Sequence, residues 1–581
     1  MERSEAGPQV RRPDNLVSRA KYIFAELELV LLVFREQFVQ RRPEHLLRRS
    51  MSEEAFTAGL KPGHTAYILF CVQGPLEEFR VPEILSIIQL FALDVSWPVP
   101  PDHTRPYMLI GLPGEKEARL LGSRLVSAKH VWEYWAHAET YPELHELVRG
   151  DECRAKWEPY AADRECTWKF TIAGHQRTIP LPQQVALVNT FSYMPFLGDI
   201  NLRTPDLEIG VFEEYTWDPL RGAKVREARQ AMGAEPSRKG KEKALEEGDP
   251  EDTGGLRMVW MGRKICDTSR HLMDVFDLKK RAYIGTTSME AEASLLMVNQ
   301  ALAAPGKWVY DPFAGTGSML LTAAAFGAMT FGSDIDGRQL RGKKTSIKHS
   351  AAQYGVSNRI VDTFAFDMTQ HPFRTGELFD AIVTDPPYGV RAGAKRLGRE
   401  KGAEEVAPMV VKGREAEGYH HQFHDYVPPS VGWPMEEVIS TLVTFALYLL
   451  RPGGRLVFFL PTDNAEYSDL DVPSVPGLRL VSNSLQSYGK WGRRLITMEK
   501  ARDASEGAEW RRALEGLDRG IPREGRKSAW EEERGKGAGE EKRPGHADFN
   551  RRYFAGFDAV KEGVRKLVVG DKQSAPAETP Q

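Results

Sequence analysis

Four acidic residues close four successive strand-like runs, and a glycine turn follows the first of them. Nothing else in the sequence restricts the fold as much. Lys307 to Tyr310 is a short apolar run leading into Asp311-Pro-Phe-Ala-Gly315-Thr-Gly317-Ser, after which Met319 to Phe326 is helical in pattern. The order is therefore strand, glycine turn, helix. Glycines at such a turn let backbone approach a ligand closely, and the free N–H groups at the helix start favour polar or anionic ligand groups. The next strand, Thr330 to Gly332, runs into Ser333-Asp334-Ile335-Asp336, placing an acid 23 residues beyond Asp311, near the spacing used to hold ribose hydroxyls. A third run, Ile360 to Phe366, ends at Asp367, whose carboxylate could accept a hydrogen bond from an adenine amino group. A dinucleotide fingerprint would need a third small residue where this chain has Leu320, and no Gly-Lys-Ser/Thr phosphate loop is present. Alone, each acid could as well cap a helix or a turn. Acids ending successive strands instead predict an adenosyl site, because open α/β sheets bind ligands at strand carboxyl ends. The candidate cofactor-binding residues are Asp311, Phe313, Gly315, Gly317, Asp334, Asp336 and Asp367.

The fourth strand, Phe379 to Val383, stops at Asp385-Pro386-Pro387-Tyr388-Gly389. Adjacent prolines restrict φ and push the preceding residues toward extended geometry, so this loop is stiff. An aromatic amine is a poor nucleophile because its lone pair is delocalised into the ring. A catalyst should supply acceptors that localise it, and the Asp385 carboxylate and Pro386 carbonyl are suited to that. Tyr388 is expected to stack on a target base turned out of its helix. The amine would then face the methyl sulfonium of S-adenosylmethionine. Transfer makes the nitrogen strongly acidic, so Asp385 need only receive or relay the proton, and no metal is required. The candidate catalytic residues are Asp385, Pro386, Pro387 and Tyr388. The tetrapeptide by itself does not choose among adenine, cytosine, guanine and glutamine.

The rest of the sequence sets the context. At 581 residues the chain has room for two to four domains. A net charge of -3 lacks the basic excess of a typical nucleic-acid binder, so any RNA surface must be a local patch. Cys71, Cys153, Cys166 and Cys266 form no CxxC pair and have no matching His cluster, which argues against a disulfide framework or structural zinc and fits a cytoplasmic protein. The longest apolar run, Tyr22 to Phe34, contains Glu26 and Glu28 and is too short for the ~20 residues of a membrane span. Tyr67 to Val72 followed by a helix from Val81 to Phe91 reads as a βα unit, while Trp168 to Ile172 and Leu207 to Glu213 alternate like strands. Residues 221–255 are nearly free of large apolar side chains and read as a disordered linker, as does the charged stretch 503–546. Phe549 to Phe557 regains aromatics that could dock on a folded body.

Taken together, Lys279-Lys-Arg-Ala-Tyr-Ile-Gly-Thr-Thr-Ser-Met-Glu290, the Asp311 motif, Asp334-Ile-Asp-Gly-Arg338, Asp385-Pro-Pro-Tyr-Gly-Val-Arg391, Arg451-Pro-Gly-Gly-Arg-Leu-Val457, Leu460-Pro-Thr-Asp463, Val481-Ser-Asn and Arg494-Leu-Ile-Thr-Met-Glu-Lys500 resemble the eukaryotic tRNA guanosine-10 N2-methyltransferase family. The likeness is loose over about 65–220 and close over 256–500. It implies an α/β fold: a Rossmann-like class I S-adenosylmethionine-dependent methyltransferase domain over 256–502, preceded by a ferredoxin-like and THUMP-like tRNA-binding region over 63–220 that ends near Gly198 to Tyr215. Residues 1–62 are then an unassigned extension, and 547–581 a docking segment and tail. It also implies formation of N2-methylguanosine in tRNA, and a small zinc-binding activator subunit as partner. The charged insert Arg399 to Gly418 has no recognised counterpart.

Three further features were weighed. The basic run Arg391, Lys395, Arg396, Arg399 and Lys401 follows the catalytic loop and could meet phosphates, or be a solvated loop. His420, His421 and His424 suggest a solvated loop more than a metal site. Trp433 and Trp491 read as core or interface aromatics, although Trp491 lies in a Lys490 to Arg494 stretch that could face RNA. The alternatives are an adenine-N6 or glutamine-N5 methyltransferase using the same loop, and a non-catalytic RNA-binding protein on this fold.

Overall fold

The computed structural model describes residues 59–72, 74–175, 177–215, 255–373, 376–388, 393–398, 409–413, 418–423, 426–465, 467 and 471–502. The extension with its apolar run, the two charged stretches, the Phe549 to Phe557 segment, and Arg391, Arg399, Lys401 and His424 lie outside the described residues. The chain divides into two compact units, one from residues up to 72 with 88–268, the other from 73–87 with 269 onward. No described helix is long and apolar enough to cross a membrane.

The first unit is built on strands β1 (Thr65–Cys71), β2 (Tyr107–Leu112), β3 (Ala128–Ala138), β4 (Trp168–Gly174), β5 (Leu207–Tyr215) and β6 (Leu256–Asp267), in the order β2-β1-β3-β6-β5-β4. Only β4 and β5 run parallel; the other neighbours are antiparallel. Every one of these strands carries β-branched and aromatic residues, which a pleated, packed surface favours. Trp132, Phe212 and Trp260 meet in one buried cluster. The helix α1 (Arg80–Phe91) is divided in sequence between the two units; around the sheet lie α2 (Glu115–Gly122), α3 (Tyr141–Arg149), α4 (Asp151–Ala161) and α5 (Leu181–Thr190). α3 starts where the sequence says it should: Thr140 and Glu143 form a reciprocal capping box, with a proline in the first turn. Leu144, Val148 and Trp157 from α3 and α4 pack with Ile209, Val211 and Met261 of β5 and β6.

Two boundaries differ from the sequence expectation. The methyltransferase domain was expected to begin at residue 256, but β6 is a central strand of the first sheet, between β3 and β5. Residues 73–87, including the first turns of α1, belong instead to the second unit. Periodicity identifies a strand from its own residues, whereas its partners are chosen by long-range pairing that leaves no local trace.

The second unit contains β7 (Trp308–Asp311), β8 (Met329–Asp334), β9 (Ile360–Ala365), β10 (Phe379–Thr384), a separate small hairpin of β11 (Lys395–Leu397) with β12 (Ser430–Gly432), then β13 (Leu450–Asp463), β14 (Leu478–Ser487) and β15 (Trp491–Lys500). Its seven-stranded sheet has the order β14-β15-β13-β10-β7-β8-β9. The five strands from β13 to β9 are parallel, and β15 and β14 close the edge antiparallel. The chain steps outward from β7 to β8 and β9, then returns to lay β10 on the other side of β7. The carboxyl ends of β7 and β10 are therefore the topological switch point, where open α/β sheets place their ligands. The helices are α6 (Ala291–Gln300), α7 (Ser318–Ala325), α8 (Gly337–Arg341), α9 (Ile347–Gln353) and α10 (Met435–Leu449). β10 reads as a nearly continuous apolar run because parallel strands are covered on both faces. Trp433 and most of α10 are buried in the same core as Ile382 and Phe458.

Candidate active site

Asp311 ends β7 beneath the switch point and is only 3% exposed. Its Oδ1 accepts from Thr384 Oγ1 at 2.6 Å and from the Phe313 N–H at 3.0 Å. Burial pushes its carboxyl up to about 7, and the nearby charges of Asp334 and Asp385 add to the rise. It ties the ends of β7 and β10 together. Phe313 is half-buried against the central core, which anchors the turn from below.

The turn itself needs its glycines for different reasons. Gly315 has φ +51° and Gly317 φ +80°, a left-handed region costly for other residues. A Cβ on Gly317 would also meet Ile347 at 3.1 Å, whereas one on Gly315 would meet nothing closer than 4.0 Å. The space beside Gly315 is open to a ligand. Asp334 binds the turn directly, accepting from the Gly315 N–H at 2.9 Å and from the Asp336 N–H at 2.8 Å. Burial holds its carboxyl above the usual range.

Asp336 and Asp367 are placed at the same sheet end but occupied locally. Asp336 caps α8 through the Arg338 N–H at 3.0 Å and grips the Arg338 guanidinium at 2.8 and 2.9 Å; Arg338 holds its carboxyl below the usual range. Asp367 is buried, its Oδ1 accepting from the Thr369 N–H and hydroxyl, both at 2.8 Å, and its Oδ2 from the Leu397 N–H at 2.5 Å. It thereby ties β11 to the end of β9. An adenine amino group would have to share Oδ2 with that strand.

The segment before α6 closes over the turn. Arg281 is buried, donating to Ser318 Oγ at 2.8 Å and to the Thr316 carbonyl. Burial pulls its guanidinium down to about 10. Ser288 and Thr316 hydroxyls meet at 2.7 Å, and the Met289 N–H donates to Ser318 Oγ at 3.1 Å. Sequence reading quoted this segment without assigning it a role.

Asp385 follows β10 directly, beside the switch point. Its Oδ1 is buried without a hydrogen-bond partner among the described residues, and burial pushes its carboxyl up to about 6, with Arg493 opposing the rise and Glu290 adding to it. Leaving an acceptor buried and unpaired costs roughly 1–3 kcal/mol, so such an atom marks a place where a ligand donor is expected. Pro386 is buried and Pro387 half-buried. Burial pushes the Tyr388 phenol up, with the Asp385 charge adding to the rise and the nearby Arg493 guanidinium opposing it.

Arg493, on β15, is the residue that sequence reading missed. It lies over the Phe459 ring at 4.0 Å and donates to Gln486 Oε1 at 2.7 Å and Glu290 Oε1 at 2.9 Å. Its charge is felt by Tyr488, where it opposes the upward push of burial on the phenol. Burial disfavours its charge, but Asp385, Tyr388, Tyr488 and Glu290 outweigh burial and hold it cationic. One guanidinium thus gathers the catalytic loop, the start of α6 and the β14–β15 hairpin. The basic stretch around residue 490 was the available signal, although nothing local said that one of its arginines turns inward.

The arrangement suits an adenosyl cofactor over the glycine turn, with a carboxylate oxygen unpaired among the described residues and waiting for an amine donor. A family model described as the Tmrp11 THUMP N-terminal domain matches residues 65–233, and one described as an RMKL-like methyltransferase domain matches residues 279–401. The chain is 35% identical over 396 residues to the tRNA (guanine(10)-N(2))-methyltransferase of Schizosaccharomyces pombe, covering 68% of this chain and 74% of that protein. It is 31% identical to the TRMT11 proteins of the same description from Rattus norvegicus, over 80% of this chain and 93% of that one, and from Homo sapiens, over 75% and 88%. The chain belongs to the tRNA (guanine(10)-N(2))-methyltransferase family.

Proposed function

We propose that this chain methylates the exocyclic N2 of guanosine 10 in tRNA, forming N2-methylguanosine, with S-adenosylmethionine as cofactor and Asp385 to Tyr388 as the catalytic loop. The observation that carries the chemistry is the buried Asp385 Oδ1 at the switch point, without a partner among the described residues. S-adenosylmethionine, when bound, supplies an electrophilic methyl. Gly315 and Gly317 would let the cofactor lie against backbone, Asp334 would take the ribose, and Asp311 and Phe313 would hold the turn in place. Asp336 and Asp367 belong to the same proposal, Asp336 by capping α8 beside Asp334 and Asp367 by offering Oδ2 to the adenine amino group.

On the substrate side Asp385 accepts a hydrogen from the guanine amine and the Pro386 carbonyl a second, drawing the lone pair out of ring conjugation. Tyr388, beside Arg493, stacks on the base. Once the carbon–nitrogen bond forms, the nitrogen sheds its proton to Asp385, which burial has made a better base than a free carboxylate. Guanine is preferred to adenine or glutamine by family membership, since the tetrapeptide leaves all three open.

The same reading places the protein in the cytoplasm, which the free state of its four cysteines supports, and gives it a small zinc-binding activator subunit, which rests on the family resemblance. The test is labelled cofactor with tRNA, in the presence of that subunit, followed by nucleoside analysis. N2-methylguanosine that disappears when guanosine 10 is replaced is the expected product; label on N6-methyladenosine or on protein glutamine would replace this reading.

A further inference from the structure

The tip of the β14–β15 hairpin carries two aromatic rings that the reaction above does not use. Tyr488 and Trp491 stack with centroids 4.6 Å apart and planes 25° from parallel. Tyr488 is nevertheless 45% exposed, an unusual place for a large ring with no core to fill. The tip is not loose. Asn464 Nδ2 donates to Ser487 Oγ at 3.0 Å and to the Gly489 and Trp491 carbonyls at 2.7 and 3.1 Å, while its backbone N–H reaches the Lys490 carbonyl at 3.0 Å. The Tyr488 N–H closes the turn on the Trp491 carbonyl at 2.8 Å. One asparagine thus pre-organises a pair made of the exposed Tyr488 and the half-buried Trp491, so little ordering entropy is left to lose on binding.

The pair is also next to the catalytic loop. The Arg493 guanidinium, two residues beyond Trp491 on β15, interacts electrostatically with Asp385, Tyr388 and Tyr488, so the half-buried Tyr388 and the exposed Tyr488 are neighbours of one cation. Turning a nucleotide out of a helix bares the face of its neighbour. An exposed, rigid ring beside the pocket is where that neighbour can restack, and stacking on aromatics accepts any base.

We infer that Tyr488 and Trp491 form a platform on which the nucleobase flanking the target guanosine stacks, with the exposed Lys490 facing the adjoining phosphate. This rests on the tRNA reading above, but the fluorescence arm of its test does not depend on methyl transfer. The full-length chain is titrated with tRNA carrying 2-aminopurine in turn on either side of guanosine 10. Wild type is expected to quench the fluorescence at one of the two positions. Tyr488→Ala and Tyr488→Ala/Trp491→Ala are expected to abolish the quench and raise the KM for tRNA about tenfold, with the KM for S-adenosylmethionine unchanged. Tyr488→Phe keeps the ring and should retain both quench and KM. The platform is overturned if the double variant quenches like wild type, if its KM for tRNA does not change, or if Tyr488→Phe loses as much as Tyr488→Ala. Asp385→Ala should still quench. A wild-type chain that quenches but puts no methyl on guanosine 10 supports the platform while overturning the reaction.

Discussion

Asp385 has to be an acceptor before transfer and a base after it, and its surroundings serve both. A carboxyl raised to about 6 is ionised at neutral pH, yet it holds a proton more readily than a free carboxylate. Because the ionised form is the active one, methyl transfer should fall as pH drops through about 6 and level off above it. Single-turnover rates against pH check this: a limb near pH 4 would mean that the proton goes elsewhere. Asp385→Asn should lack the limb and be slower by about 10²–10⁴-fold while binding S-adenosylhomocysteine like wild type. Asp311 makes a different prediction. Its folded-state carboxyl at about 7 lies above the ordinary 3.8, so the folded state binds the proton more tightly. Stability from this group is therefore greatest at low pH and declines as pH rises from about 4 to about 7, with a ceiling of roughly 4 kcal/mol. Asp311→Asn, which keeps an acceptor for Thr384, should lose that decline. Urea unfolding near pH 5.5 and pH 8 should show the variant gaining on wild type at the higher pH, and a constant difference would refute the assignment.

Among the elements, the glycine turn gives the sharpest contrast. Gly315→Ala meets open space and should cost about 1–2 kcal/mol for its positive φ alone. Gly317→Ala carries the same strain and also drives a methyl against Ile347 at 3.1 Å, so it should cost more and tilt the start of α7. Thermal unfolding should show the greater loss at Gly317, and calorimetry with S-adenosylhomocysteine the greater loss of affinity at Gly315, whose added methyl enters the space left for the ligand; equal losses of stability would mean that Ile347 yields freely. β7, β8, β9 and β10 were legible in the sequence to within two residues at each end, the inner three because buried parallel strands are apolar runs punctuated by polar turns, the exposed edge strand β9 because it is rich in β-branched and aromatic residues. The strand-end acids were legible for the same reason. How each acid is engaged was not: Asp336 is gripped by Arg338, and Asp367 meets Leu397, which lies 30 residues away. Arg493 illustrates the limit best. Its distance along the chain from Asp385 hides a pairing that only the β13–β15 and β10–β13 registers bring about.

At the scale of the whole molecule, the unit that carries the chemistry is discontinuous in sequence, and this makes a prediction about fragments. Residues 73–87 supply partners to groups buried deep in that unit. Glu83 accepts from Asn299 Nδ2 at 2.7 Å, Ser86 Oγ accepts from Arg455 at 3.0 Å, and Glu78 accepts from the Leu485 N–H at 2.6 Å and, through its carbonyl, from Ser484. Phe79, fully buried, packs toward Phe459, the ring on which Arg493 lies. Removing the segment would take a partner from a buried amide and from a buried guanidinium whose other partners include Glu499 at 3.1 Å and the Gln300 carbonyl at 2.7 Å, and open a cavity the size of a phenyl ring. At roughly 1–3 kcal/mol per buried polar group that loses a partner and about 3–5 kcal/mol for the ring, the sum rivals the whole stability of a typical domain. A fragment spanning 269–502 should therefore fail to unfold cooperatively, whereas one spanning 59–502 should do so. Adding a peptide of residues 73–93 to the shorter fragment should restore part of the transition. A cooperative thermal unfolding of 269–502 alone, unaffected by the peptide, would mean that the early segment decorates the catalytic unit instead of completing it.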